Sequence, residues 1–188
     1  MRFTLLVLAL AVLPAHAASP LEQEQFWKHL SALCGKAFEG RIIESTSTTD
    51  ATFAGKTLTM HVRACSENEI KIPFHVGGNR SRTWVIIRTA TGLRLKHDHR
   101  HEDGSEDKVT QYGGDTASAG TADRQDFPAD AFTADLIPAA KTNIWTVFLS
   151  PGKTFGYGLR REAEGRRFRV DFDLSKPVAV PPAPWGHQ

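Results

Sequence analysis

Residues 167–174 have the sequence RFRVDFDL, in which charged and apolar side chains alternate without interruption. Successive side chains of a β-strand point to opposite faces, so this alternation predicts a strand with one face in a core and the other in solvent. Two segments before it, residues 143–149 and 154–160, also have strand character. The last part of the chain therefore predicts three consecutive strands.

The same kind of segment recurs through most of the preceding chain. The further predicted strands cover residues 38–44, 58–65, 70–76, 83–89, 93–101 and 108–112. Residues 20–33 instead follow the period of an amphipathic helix, and residues 128–136 predict a short later helix. About 8–10 short strands with mostly short connections indicate an all-β barrel or sandwich. We expect an up-and-down antiparallel β-barrel, because closing the sheet leaves no unpaired edge.

Two resemblances accompany this pattern. The order of helix, strand meander and later helix resembles the lipocalin and fatty-acid-binding-protein barrels over residues 21–174. The lipocalin Gly-x-Trp signature has no match, since Gly35 is followed by Lys36 and Ala37. The stretch HDHRHEDGS at residues 97–105 is similar to one in uncharacterised exported bacterial proteins. These resemblances imply a barrel fold and export, and they imply no activity.

The two ends of the chain lack the strand pattern of the middle. Arg2, an apolar run over residues 5–13 and small residues up to Ala17 predict a secretory signal peptide over residues 1–17. A membrane span needs roughly 20 apolar residues, so we expect cleavage after Ala17 rather than an uncleaved anchor. Residues 18–176 then predict one β-barrel domain that is secreted or periplasmic and has no transmembrane segment. The proline-rich residues 177–188 predict a disordered tail.

Composition excludes some classes of function. The chain has 23 Lys and Arg against 21 Asp and Glu, and this balance gives no electrostatic argument for a nucleic-acid partner. Its two cysteines, Cys34 and Cys65, are expected to form a disulfide in an oxidising compartment. Two buried free thiols are the alternative. The sequence has no phosphate-loop, nucleophile-elbow or zinc-helix motif.

The chemically most informative segment is LRLKHDHRH at residues 93–101. On a single strand its two leucines and three histidines share one face. If that face points into the barrel, the histidines line a polar ligand pocket with an apolar deep wall. The predicted ligand-binding residues are His97, His99, His101, Leu95 and Trp84, the last as a flat apolar surface.

Two further interpretations of the histidines stay open. Same-face neighbours on a strand lie about 6.6–6.8 Å apart, so two adjacent histidines, His97 and His99 or else His99 and His101, can bind one Zn²⁺. We take His97 and His99 as the candidate metal ligands. His61 and His75 alternate with apolar neighbours and are expected to point outward, away from such an ion. In the second interpretation the hairpin tip leaves the barrel and the histidines are ordinary surface residues.

The sequence therefore predicts an exported barrel that binds a small molecule or acts as an accessory protein of the cell envelope. No cofactor is expected, although a divalent metal such as Zn²⁺ fits the hypothesis of a metal-dependent enzyme. Two more hypotheses stay open: an enzyme that uses His97, His99 or His101 as a base, and a structural protein without a pocket. The orientation of the middle histidine, His99, distinguishes among them.

Overall fold

The structure of the protein, a computed structural model, describes residues 20–187. The predicted signal peptide and its cleavage site lie outside the described residues. Among the helices of residues 20–187, none is both long enough and apolar enough to cross a membrane.

Two α-helices and eleven β-strands form the described part of the chain. In chain order they are α1 (Leu21–Ser31), β1 (Ala37–Ser45), β2 (Leu58–His61), β3 (Ala64–Cys65), β4 (Glu69–Val76), β5 (Asn79–Thr89), β6 (Gly92–His99), β7 (Tyr112–Asp115), β8 (Arg124–Pro128), α2 (Ala131–Leu136), β9 (Ile144–Ser150), β10 (Thr154–Arg161) and β11 (Arg166–Val178). Two short 3₁₀ helices, Thr48–Phe53 and Pro138–Ala140, lie in the connections.

The strands form a nearly closed antiparallel barrel, which confirms the predicted all-β class and barrel architecture. The order around the barrel is β7-β6-β5-β4-β2-β1-β11-β10-β9-β8, with β3 paired to β4. The first and last strands, β1 and β11, pair with each other, so the meander returns to its start. The gap in the barrel lies instead between β7 and β8, which are consecutive in the chain.

Helix α2 covers this gap through a contact with a glycine of β7. The backbone N–H of Gly113 donates to Thr133 Oγ1 at 2.7 Å, and the Thr133 hydroxyl donates to the Gly113 carbonyl at 2.8 Å. A Cβ on Gly114 would overlap the carbonyl oxygen of Pro128, so only glycine permits this approach of β7 to β8. The sequence pattern predicts a loop at β7 and no strand at β8, because their polar and glycine-rich residues lack apolar alternation.

Helix α1 lies at one end of the barrel. Phe26 and Leu30 are fully buried in the core, and Glu24 forms a bidentate ion pair with Arg88 of β5 at 2.7 and 2.9 Å. The predicted disulfide between Cys34 and Cys65 is confirmed, and it joins the segment after α1 to β3. The barrel end near α1 is therefore filled by side chains.

The C-terminal segment differs from the sequence-based prediction of a disordered tail over residues 177–188. Strand β11 continues to Val178, and the segment after it packs on the outer surface of the barrel. Arg80 Nη1 donates to the Ala183 carbonyl at 2.8 Å, and Arg63 Nη2 donates to the His187 carbonyl at 3.0 Å. The proline-rich composition suggested disorder, but the carbonyls of this segment accept hydrogen bonds from barrel arginines.

The outer side of the barrel wall contains two buried histidines. His61 and His75 alternate with the core residues Met60 and Phe74, so they lie on the outer side of the barrel wall, opposite its core. Both are nevertheless buried, and burial together with the positive charge of Arg80 lowers the pKa of His75 to about 4. These histidines are separated from the interior by the barrel wall.

Candidate functional site

The barrel contains a cavity of about 330 Å³. Its lining comes from strand ends and connections at the end of the barrel away from α1, including parts of the 3₁₀ helices Thr48–Phe53 and Pro138–Ala140 and the adjoining ends of β10 and β11 at Arg161 and Arg166. Nine lining residues carry aromatic or imidazole rings: Phe53, Phe74, Trp84, His97, His99, Tyr112, Trp145, Tyr157 and Phe168. The cavity therefore presents mainly ring faces, which suit a ligand with an apolar surface.

Two neighbouring strands bring the predicted site residues together. In the register of β5 and β6, Trp84 lies opposite His97, and Arg82 lies opposite His99. All four side chains line the cavity, so the inward face of β6 stays inside the barrel as far as His99. That His97, His99 and Trp84 bind a ligand stays a prediction.

The remaining two predicted site residues lie elsewhere. Leu95 is completely buried in the hydrophobic core and does not line the cavity. His101 is exposed beyond the end of β6, where the N–H of Gly104 donates to the His101 carbonyl at 3.0 Å in a turn. His101 therefore does not line the cavity, in contrast to the prediction, because β6 ends at His99. The interpretation as surface histidines applies to His101 and not to the two residues inside.

His97 has hydrogen bonds at both ring nitrogens. Its Nδ1 lies 3.0 Å from the Tyr112 carbonyl, and its Nε2 lies 2.6 Å from the Tyr157 hydroxyl. A carbonyl only accepts, so Nδ1 donates the proton and Nε2 accepts from Tyr157. Burial lowers the pKa of His97 to about 3 and raises the pKa of Tyr157 well above its usual value. His97 is therefore a neutral residue whose two nitrogens are both occupied.

His99 keeps more of its hydrogen-bonding capacity. Its Nε2 lies 3.2 Å from the hydroxyl of Tyr112, whose ring stacks on His97 with 4.4 Å between ring centroids. Burial and the charge of Arg82 lower the pKa of His99 to about 4, and burial raises the pKa of Tyr112 to about 12. At neutral pH this pair is uncharged and offers both a donor and an acceptor to a polar group of a ligand.

The zinc interpretation has limited support in this geometry. Within residues 20–187, no three or more His, Cys, Asp or Glu side chains group around one point in a way that would hold a metal ion. The Nε2 lone pair of His97 already accepts a proton from Tyr157. A site shared by His97 and His99 stays a prediction, and it would require His97 to exchange this hydrogen bond for a metal.

Sequence reasoning placed no charged residue at the cavity, and the structure places four there: Asp50, Arg82, Arg161 and Arg166. Asp50 belongs to a connection, where no periodicity indicates direction. Arg82 was missed because the predicted strand began at Thr83. Its position two residues before the inward-facing Trp84 is the signal that would have found it.

Comparisons of this chain with protein-family models, with curated protein sequences and with solved structures found no match.

Proposed function

We propose that this protein is an exported β-barrel that binds a small organic molecule inside the barrel. The observation that carries the proposal is the cavity of about 330 Å³, nine of whose lining residues carry rings. Binding cavities for small molecules are concave and mostly apolar, with a few well-placed polar groups. His99 and Tyr112 supply such polar groups here, and the ring of Tyr112 lies 5.7 Å from that of Trp145 between centroids.

Export is supported by two features of different kinds. The disulfide between Cys34 and Cys65 is typical of oxidising compartments, and residues 1–17 have the pattern of a secretory signal peptide. A role as an envelope accessory protein and likeness to lipocalin barrels are part of this proposal and rest on the barrel alone.

Catalysis by the histidines is supported less well. A general base needs a free lone pair within hydrogen-bond reach of a substrate proton. His97 has no free nitrogen, and burial raises the pKa of Tyr112 to about 12, still further above neutral pH than that of an ordinary tyrosine. His99 alone keeps an available nitrogen, and it has no carboxylate partner among the hydrogen bonds of the described residues.

A neutral fluorescent probe tests the proposal. N-phenyl-1-naphthylamine is apolar, and its emission rises when it enters a dry cavity. We expect saturable binding at one site per chain. Ala139 is exposed and lines the cavity mouth, so Ala139→Trp is expected to weaken binding about 10-fold or more by filling the entrance.

The matched control is Ala131→Trp, which adds the same side chain at an exposed position of α2 outside the cavity lining. This variant is expected to bind the probe like the wild-type protein. Absence of saturable binding, or equal affinity in the two variants, would overturn the proposal.

A further inference from the structure

Arg82 differs from the remaining residues that line the cavity. It lies on the inward face of β5, two residues before Trp84, and it contacts the ring of Phe53 with 5.8 Å between its guanidinium carbon and the ring centroid. Its Nη1 donates to Asn79 Oδ1 at 3.0 Å and to Ser81 Oγ at 3.4 Å, and both acceptors are uncharged. The edge formed by Nε and Nη2 has no hydrogen bond among the described residues.

The other two arginines of the cavity have carboxylate partners. Arg166 Nη2 lies 2.7 Å from Asp50 Oδ1, and Arg161 Nη1 lies 3.0 Å from Glu164 Oε2. Within residues 20–187, no carboxylate lies in ion-pair range of Arg82. A guanidinium taken out of bulk water without a counter-charge is costly, so this position favours an anion supplied from outside.

The charges around the cavity also favour an anion. The lining contains three arginines and a single carboxylate, that of Asp50, which is already paired with Arg166. His97 and His99 are neutral at pH 7 because burial lowers their pKa values. The cavity therefore has a positive potential, concentrated at Arg82 and focused by its low-dielectric ring walls.

We propose that the cavity selects small organic anions with an apolar ring body, and that the free edge of Arg82 holds the anionic group. The Nε and Nη2 donors of a guanidinium match the two oxygens of a carboxylate or sulfonate and bind them with two parallel hydrogen bonds. The ligand's rings would lie against Trp84 and its neighbours. This inference rests on the proposed small-molecule function and names its ligand class.

A matched pair of probes separates this inference from the function on which it rests. N-phenyl-1-naphthylamine and 8-anilino-1-naphthalenesulfonate have the same ring body, and only the second carries a sulfonate. We expect the sulfonate probe to bind about 10-fold more tightly or better, since hydrogen bonds to a charged group contribute that much. The preference is expected to weaken as the salt concentration rises.

Arg82→Gln is the decisive variant. It is expected to abolish the preference for the sulfonate probe, measured as the ratio of the affinities of the two probes for the same variant. Arg82→Lys keeps the charge without the two-donor edge and is expected to retain part of the preference. Arg94→Gln is the control, because Arg94 pairs with Asp115 and lies outside the cavity lining.

Each outcome has one meaning. Saturable binding of both probes with equal affinity in the wild type, or a preference that survives Arg82→Gln, would overturn the anion inference and leave the small-molecule function standing. Binding of neither probe would overturn both. Binding of the neutral probe by every variant shows that each variant is folded, so loss of the preference in Arg82→Gln then supports the inference.

Discussion

His97 and His99 lie on one face of one strand, but they have different hydrogen bonds. His97 is fixed by the Tyr112 carbonyl and the Tyr157 hydroxyl, whereas His99 contacts only the Tyr112 hydroxyl through its ring. The sequence predicted a shared face for these residues. Their different roles could not be predicted, because the partners come from β7 and β10, far away in the chain.

The first prediction concerns the stability that His97 provides. His97→Leu leaves the buried hydroxyl of Tyr157 without its acceptor, so the free energy of unfolding should fall by about 1–3 kcal/mol. Urea denaturation measures this change. Adding Tyr157→Phe removes the unpaired hydroxyl, so the double variant should lose less stability than the sum of the single variants.

His101→Gln is the control for this experiment, since His101 is exposed. It should change the free energy of unfolding by less than about 0.5 kcal/mol. If His97→Leu is no more destabilising than His101→Gln, the hydrogen-bonding role of His97 is wrong.

The second prediction concerns pH. A histidine with an unfolded pKa of about 6.5 gains protons as pH falls from 7 to 5, while His97, with a folded pKa of about 3, stays neutral. Its contribution to stability is therefore present above pH 6.5 and is lost on acidification, by about 2 kcal/mol at pH 5. His75 and His99, whose pKa values burial lowers to about 4, act in the same direction.

Urea denaturation at pH 7 and pH 5 measures this loss. The decrease in the free energy of unfolding should be smaller in His97→Leu than in the wild type and unchanged in His101→Gln. A wild-type protein that is as stable at pH 5 as at pH 7 would contradict the neutral, buried state of these histidines.

At the scale of elements, the sequence predicted most of the barrel. The strands with uninterrupted alternation, such as β10 and β11, formed within a few residues of their predicted bounds because one face of each lies on the core. Strands β7 and β8 were not predicted because their formation depends on how they pack against each other. Gly114 of β7 is needed for the close approach to Pro128 of β8. The periodicity of neighbouring residues does not indicate such a tertiary contact.

The C-terminal segment is a related case. Proline-rich composition predicts the absence of regular structure, and it does not exclude an irregular segment held by neighbouring side chains. His187 Nε2 lies 2.7 Å from the carboxylate of Asp98, which is also paired with Arg100. Asp98 is only 5% exposed, so this contact replaces part of its hydration.

The third prediction concerns this segment. Deleting residues 183–188 should lower the free energy of unfolding by about 1–3 kcal/mol, because hydrogen bonds to charged partners are lost. Thermal or urea denaturation measures the effect. Asp98→Asn should cost less in the truncated chain than in the full chain, since the His187 partner is then already absent. Equal stability of the full and truncated chains would show that the segment does not hold the barrel.

At the scale of the whole molecule, the two ends of the barrel differ in how they are filled. Helix α1 and the apolar core fill one end, and the ring-lined cavity occupies the other. Two of the tryptophans, Trp84 and Trp145, line the cavity. The other two lie outside it, Trp27 on α1 and Trp185 in the C-terminal segment. A ligand in the cavity should therefore affect one pair and leave the other pair unchanged.

The most direct test of the central claim is the set of indole N–H signals in a ¹H–¹⁵N NMR spectrum, assigned by single Trp→Phe variants and recorded during titration with N-phenyl-1-naphthylamine. We predict that the signals of Trp84 and Trp145 shift together to saturation while those of Trp27 and Trp185 stay in place. Shifts confined to Trp27 or Trp185, or no saturable shift of Trp84 and Trp145, would contradict a ligand site inside the barrel.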